Sequence, residues 1–541
     1  MRTSFTSKQS KSLLTLVCVP GLILASAGCG ADTAPSQANP AGGGSTAVAG
    51  TGGTAAGTGG TAPGGAGGSA QGGSTAGTQA GGAGGVAAGA GGAAGGAVGG
   101  GGAGGAAGGT ANMGPACSTA AGTNDANLSV RRPEISTRVV AGSPEGNMMR
   151  IEYDKISMKL YALNQGGTIY EVDPVGNSVT PANTGFGGGN NCRSMTFGPD
   201  GALYVQCHNG GGTSVKIDKG TPGAGGTYTW STLVTSEGFP ASGTNFDHAF
   251  NGLAVSPDGM YLYFGSGSRT DHGEDHGGIR EVPMSSAIFR IPTATPTGNI
   301  MNTDQSAGTI LFADGVRNTF DLAFNDAGDL FGAENGPDMD LPDEINFIEM
   351  GKHYGFPFRM GAVDNPVRDQ TYQWSNTCLP PTLQAVTLGT YEYDAGFPAA
   401  PQGVTFTDPV LNHGPDSDKF RVCPDGAPMD ASEATMAVAG ITGHKSPLGL
   451  NFDTAGELCG DYNKAGFFLT YGAVEDRFMD GGRDLSLARF TKVGAAYEMA
   501  VTQLVAGFEF APIDAAIVGN KIYVVEFGGG SITEITLPAA Q

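Results

Sequence analysis

Residues 251–268 read NGLAVSPDGMYLYFGSGS: an alternating apolar segment, a Pro-Asp-Gly turn, a second apolar segment, then glycines. Alternation puts every second side chain on one buried face, and glycine supplies the positive φ of a tight turn, so the stretch predicts a β-hairpin. The same plan recurs in CRSMTFGPDGALYVQCHNGGGTSVKID from Cys192 and in FDLAFNDAGDLFGAENG from Phe320. It recurs again in LGLNFDTAGELCGDY from Leu448, IDAAIVGNKIYVVEFGGGSITEITL from Ile513 and RIEYDKISMKLYALNQGGTIYEVD from Arg150. One such unit cannot bury both faces alone, whereas radial stacking of several does. Six copies predict an all-β fold, a six-bladed β-propeller. They lie further apart than compact blades of roughly 40–50 residues, so long loops must project. The largest insertion, 359–443, is proline-rich and contains Cys378 and Cys423. No long amphipathic helix is predicted.

Outward from the repeats, the 541-residue chain divides into three parts. Residues 1–28 carry Arg2, Lys8 and Lys11, an apolar run from Leu13 to Leu24 and small residues up to Cys29, the pattern of a lipoprotein signal peptide. Ser26-Ala27-Gly28-Cys29 resembles a lipobox, with Cys29 as the lipidated residue and Ser26 where leucine is usual. Simple cleavage after Ala27, giving a secreted protein, is the other reading. Residues 29–116 are almost wholly Gly, Ala, Ser and Thr with Asp32 the sole charge. Such a segment buries too little apolar surface to fold and predicts a disordered tether with a reach on the order of 50 Å. Residues 117–541 must hold the propeller. The expected location is the outer membrane, facing periplasm or cell surface, with lipid as the sole membrane contact.

The formal net charge of −22 argues against nucleic acid as a partner, since that requires clustered Lys and Arg. Six cysteines follow the tether, and none forms a CxxC pair. In an exported domain they predict up to three disulfides, with Cys192–Cys207 and Cys378–Cys423 each closing a local loop.

Four places carry candidate chemistry. Asp247-His248 precedes the hairpin quoted first, so the imidazole belongs either at the channel mouth, with Asp247 orienting it, or in a surface loop. Arg317-Asn318 holds the equivalent place in the next repeat, where a guanidinium either grips an oxyanion or bridges two blades. Ala333–Asp338, continuing to Asp343–Asn346, offers peptide carbonyls and carboxylates suited to Ca²⁺, or is an acidic solvated loop. Asp271–His276 has ligands for a transition metal or forms a mobile loop.

Taken together and in order, FDHAFNGLAVSPDG, GVRNTFDLAFNDAGDLFGAENGP, DEINFIEMGKHYGFP and GHKSPLGLNF resemble the soluble glucose/sorbosone dehydrogenase family. That family is a six-bladed propeller holding pyrroloquinoline quinone (PQQ) and Ca²⁺ over its channel. The resemblance implies His248 as general base, Asp247 as its orienter and Arg317 as stabiliser of charge on the quinone. It implies Asn318 and Asn335 at the cofactor, Asn190 or Asn191 on the substrate side, and Gly336, Pro337 and Glu344 at the calcium. The carboxylates of PQQ call for basic residues from the last two blades. Here the last blade reads Phe510-Ala511-Pro512-Ile513-Asp514, leaving Arg477 and Lys445 as candidates.

The reading is an exported oxidoreductase that needs PQQ and Ca²⁺, oxidises aldose sugars or related polyols and passes electrons to an external acceptor. Two alternatives stay open: a non-catalytic propeller binding carbohydrate or protein, and a calcium-dependent lactonase-type hydrolase.

Overall fold

The computed structural model describes residues 114–541 except 143–145, 209–211, 424–425, 473–477 and 479. The signal segment, Cys29, residues 30–113 of the tether and Arg477 lie outside the described residues.

Each recognised repeat supplies an inner strand: Met148–Asp154, Cys192–Phe197, Phe250–Val255, Thr319–Phe324, Pro447–Phe452 and Ala511–Val518. Each of these touches the next, and the last touches the first, so they ring a channel. The Asp-Gly turns behave as the sequence demands. Gly201 (φ 77°) and Gly259 (φ 73°) occupy the left-handed region between the two strands of their hairpins. Core side chains interdigitate between neighbouring sheets. Tyr204 and Ile217 of one sheet, for example, pack with Phe250, Phe264 and Phe289 of the next.

The blade count differs from expectation. Five sheets have four or more strands, but the sheet of Thr319–Phe324, Leu330–Glu334 and Glu344–Ile348 has three. The propeller therefore has five complete blades, not six. The reason is the insertion: after Ile348 the chain leaves the sheet, and loop segments cover its edge. Val410 N donates to Ile345 O (2.9 Å) and Ile441 N to Asp343 O (2.8 Å), which satisfies backbone groups without adding a fourth strand.

The ring closes by pairing the early strand Ser136–Gly142 with Ser531–Thr536 near the end of the chain. Three disulfides are present among the described residues. Cys192–Cys207 and Cys378–Cys423 form as predicted, and Cys117–Cys459 joins residues 342 apart. Helix is confined to short turns, the α-helical ones being Asp304–Ala307 and Gln384–Thr387 among the described residues.

Candidate active site

Residues just before an inner strand and just after its hairpin partner share one face of the ring. His248, Ser268, Arg317, Asn318, Asn335 and Lys445 all fall there. A chain of hydrogen bonds crosses three sheets to join all of these but Lys445. His248 N donates to Ser268 O (2.9 Å), Ser268 N to Arg317 O (2.6 Å) and Asn335 N to Asn318 O (3.1 Å), while Asn335 Nδ2 reaches Pro447 O (2.7 Å).

His248 is 2% exposed. Its Nδ1 lies 3.2 Å from Ser268 O and 3.1 Å from Ser268 Oγ. The carbonyl can only accept, so Nδ1 carries the proton and Nε2 presents a lone pair. Nε2 is buried and makes no hydrogen bond among the described residues. Burial, then the Arg317 charge, lowers the imidazole to about 3, keeping it neutral. Gly267 makes room for it, because a Cβ there would lie 2.3 Å from that of His248. Asp247 does not orient the ring: its carboxylate accepts from Ser242 N (2.6 Å) and Gly243 N (3.0 Å) instead. Ser268 does that work. The glycines around it were visible in the sequence, but its contact with a residue twenty positions away was not.

Arg317 is buried and joins two blades. Nε donates to Asp271 O (2.8 Å), Nη2 to Asp271 Oδ1 (2.9 Å) and Nη1 to Asn335 O (3.0 Å). Burial pushes the Asp271 carboxyl up, but the His272 hydrogen bond and the Arg317 charge together hold it well below the ordinary range. Asp271, His272 and Glu274 thus form a buried charge network, while Asp275 is exposed. His272 donates from Nδ1 to Asp271 Oδ2 (3.1 Å) and from Nε2 to Thr390 O (3.1 Å), so both nitrogens are engaged by protein. Tyr391 of the insertion donates to the same Asp271 carboxylate.

Asn318 Nδ2 donates to Asn335 Oδ1 (3.1 Å), so these two sit together beside His248 and Gly267. At the acidic loop, Gly336 and Pro337 are buried. The carboxylate meeting Gly336 is Asp343, whose Oδ1 accepts Gly336 N at 2.6 Å. Glu344 instead accepts from Gly361 N (2.6 Å) and Asn346 Nδ2 (2.9 Å), and stands opposite Glu334 in the sheet register. Burial raises Glu344 to about 7, and burial plus Glu344 lifts Glu334 well above its usual range.

Asn190 is exposed, while Asn191 is half-buried and donates from Nδ2 to His208 Nδ1 (3.2 Å). Both lie in the bend just before the inner strand Cys192–Phe197, and Asn190 lines a cavity with His208. Lys445 is buried as a cation, its Nζ donating to Asp484 Oδ2 (2.9 Å) and Asp480 O (3.2 Å).

Residues 229–373 match the glucose/sorbosone dehydrogenase family. The match spans the four-residue core of the site, His248, Ser268, Arg317 and Asn335, and also Gly336 and Glu344. Among solved structures, the PQQ domain of a pyranose dehydrogenase from Coprinopsis cinerea is 14% identical with a TM-score of 0.50, covering 78% of this chain and 100% of its own. The PQQ-bound aldose sugar dehydrogenase from Streptomyces coelicolor is 18% identical with a TM-score of 0.43, covering 74% and 98% respectively. No curated protein matches the chain in sequence.

The sugar dehydrogenase resemblance implies a quinone with three carboxylates, and the described residues fit that group unevenly. The bare Nε2 of His248 and the oxygen-rich loop 334–344 suit a reacting end and a hard cation. The carboxylate end is poorly matched: Lys445 is held by Asp484, Arg317 by Asp271 and Arg421 by Asp340.

Proposed function

We propose that the channel face is an alcohol-oxidising site of the sugar dehydrogenase kind, acting on aldoses or related polyols. The observation that carries this is the buried, neutral imidazole of His248 with Nδ1 held and Nε2 bare. A substrate hydroxyl donates to Nε2. As the carbon takes on carbonyl character its hydroxyl becomes acidic, and the proton passes to Nε2 while Ser268 O stabilises the imidazolium through Nδ1. Arg317 and its partner Asp271 fix the floor beside the ring. The quinone supplies a two-electron hydride acceptor when bound, and Ca²⁺ at Gly336, Pro337 and Asp343 or Glu344 supports it. Asn318 and Asn335 line the cofactor side in this reading, and Asn190 and Asn191 the substrate side.

Three disulfides support export, since such bonds persist in oxidising compartments. On this reading Cys29 carries the lipid, residues 29–116 tether the propeller outside the cytoplasm, and an external acceptor takes the electrons. The paired state of Lys445 and Arg317 favours one alternative, a propeller that binds carbohydrate without oxidising it.

The deciding experiment mixes purified protein with PQQ and Ca²⁺, then adds aldoses and a dye acceptor. Dye reduction that disappears in His248→Ala supports the enzyme. Sugar binding with no dye reduction overturns it in favour of the binding module.

A further inference from the structure

The Asp271 carboxylate is buried and accepts hydrogen bonds from four separate residues. Its Oδ1 accepts from Arg317 Nη2 (2.9 Å) and Asp338 N (3.0 Å). Its Oδ2 accepts from His272 Nδ1 (3.1 Å) and from the Tyr391 hydroxyl. A carboxylate offers about four lone-pair positions, so this one is full. Arg317, Asp338 and His272 come from loops between the repeats, whereas Tyr391 comes from the insertion 359–443.

Tyr391 is held from behind. It is buried in an apolar cluster with Phe246, Met339, Val367, Leu379 and Ala385, and its ring centroid lies 4.9 Å from that of His272. Phe246 precedes His248 by two residues, so the insertion's core is continuous with the loop that carries the imidazole. The insertion grips the same place twice more. Asn365 Nδ2 donates to His272 O (2.7 Å), and Thr390 O accepts from His272 Nε2 (3.1 Å). Burial, then the Asp271 charge, pushes the Tyr391 hydroxyl well above its usual range, so it stays a donor. The other donor to Oδ2 is divided: His272 Nδ1 also lies 3.2 Å from Glu274 Oε2.

We propose that Tyr391 is a positioning residue: it fixes the Asp271 carboxylate, which in turn fixes the Arg317 guanidinium beside His248, so the insertion is a working part of the active site. The carboxyl torsion of an aspartate is soft, and only its hydrogen bonds set it. Without the hydroxyl, Oδ2 keeps only the shared His272 proton. The carboxylate then turns, and Oδ1 leaves Arg317 Nη2 and Asp338 N together. Nε and Nη1 of Arg317 still meet Asp271 O and Asn335 O, so the guanidinium loosens at one end without being lost. The catalytic consequence rests on the oxidoreductase reading of His248 and Arg317. A group misplaced in this way costs rate more than substrate affinity, because its contact matters most as charge develops.

The test compares the full-length parent with Tyr391→Phe and Tyr372→Phe. Tyr372 packs against the same cluster but is not a donor to Asp271, so it controls for an oxygen lost from the insertion. Nitrogen NMR of arginine-labelled protein reads proton exchange at the guanidinium. Tyr391→Phe is expected to speed exchange at Arg317 about tenfold while Arg150 keeps its rate. Tyr372→Phe changes neither. With glucose, PQQ, Ca²⁺ and a dye acceptor, Tyr391→Phe lowers kcat about tenfold, equivalent to about 1.4 kcal/mol, and leaves KM unaltered. A ring-fluorinated tyrosine at position 391 strengthens the donor and slows Arg317 exchange, which covers a Tyr391→Phe protein that fails to fold. Unchanged Arg317 exchange overturns the proposal, as does an equal response to Tyr372→Phe. An unchanged kcat in a protein that reduces dye overturns it too. A parent that reduces no dye sinks the oxidoreductase reading instead, and guanidinium exchange then decides the link from Tyr391 to Arg317 alone.

Discussion

At His248 a neutral imidazole is buried with one bare nitrogen, whereas on the same face Lys445 is buried as a cation already matched to Asp484. The first arrangement leaves a lone pair for an incoming hydroxyl. The second leaves little charge for an incoming carboxylate, because breaking a buried pair costs about 3–5 kcal/mol. A site can thus keep its reacting group while its cofactor clamp is neutralised. The two ends should respond separately to mutation.

The largest effect is expected at the reacting end. His248→Ala should cut dye reduction by about 10²- to 10⁴-fold, the usual worth of a positioned base, with circular dichroism unchanged. The clamp end is broken by Asp484→Asn, which should lower stability in urea by about 3–5 kcal/mol. The same change leaves Lys445 beside Asp480 (3.7 Å) but without its nearer carboxylate, so PQQ should bind more tightly, by about tenfold or more for a charge-assisted hydrogen bond of roughly 1.5–3 kcal/mol. Unchanged affinity would place Lys445 away from the cofactor.

Much of this was legible in the chain. The six hairpins located all six inner strands, because alternation is a local signal and so is the positive-φ glycine that five of them carry, the hairpin from Arg150 turning at Met158 instead. The repeat also placed His248 and Arg317 just ahead of their inner strands. What the repeat could not give was who holds them. Asp271 reaches Arg317 from 46 residues away, and Ser268 replaces the adjacent Asp247 as partner of His248. Such contacts depend on how neighbouring sheets align. The missing fourth strand was hidden for the same reason, since isolated bonds from Val410 and Ile441 cover that edge without any strand pattern.

The orienting roles can be sharpened by a pair of variants. Ser268→Ala should lower the rate by about fivefold, one hydrogen bond of roughly 1 kcal/mol, while Asp247→Asn should leave it nearly unaltered. A reversed order would restore Asp247 as the orienter.

A further effect is on stability against pH. His208 and His248 are each lowered to about 3, by burial first and then by Arg193 and Arg317 respectively. An unfolded imidazole titrates near about 6.5, so between these values the unfolded chain binds more protons. Their contribution is therefore fully present above about 6.5 and is lost as pH falls towards about 3. Urea melts from about pH 7 to about pH 4 should show this loss, and His208→Gln should make the slope shallower by about one proton.

The nitrogen chemical shifts of the His248 ring, followed from about pH 5 to about pH 8, test the site most directly. The expected spectrum is a neutral imidazole protonated at Nδ1 throughout, with Nε2 bare. An imidazolium in that range, or a neutral ring protonated at Nε2, would contradict the proposed base.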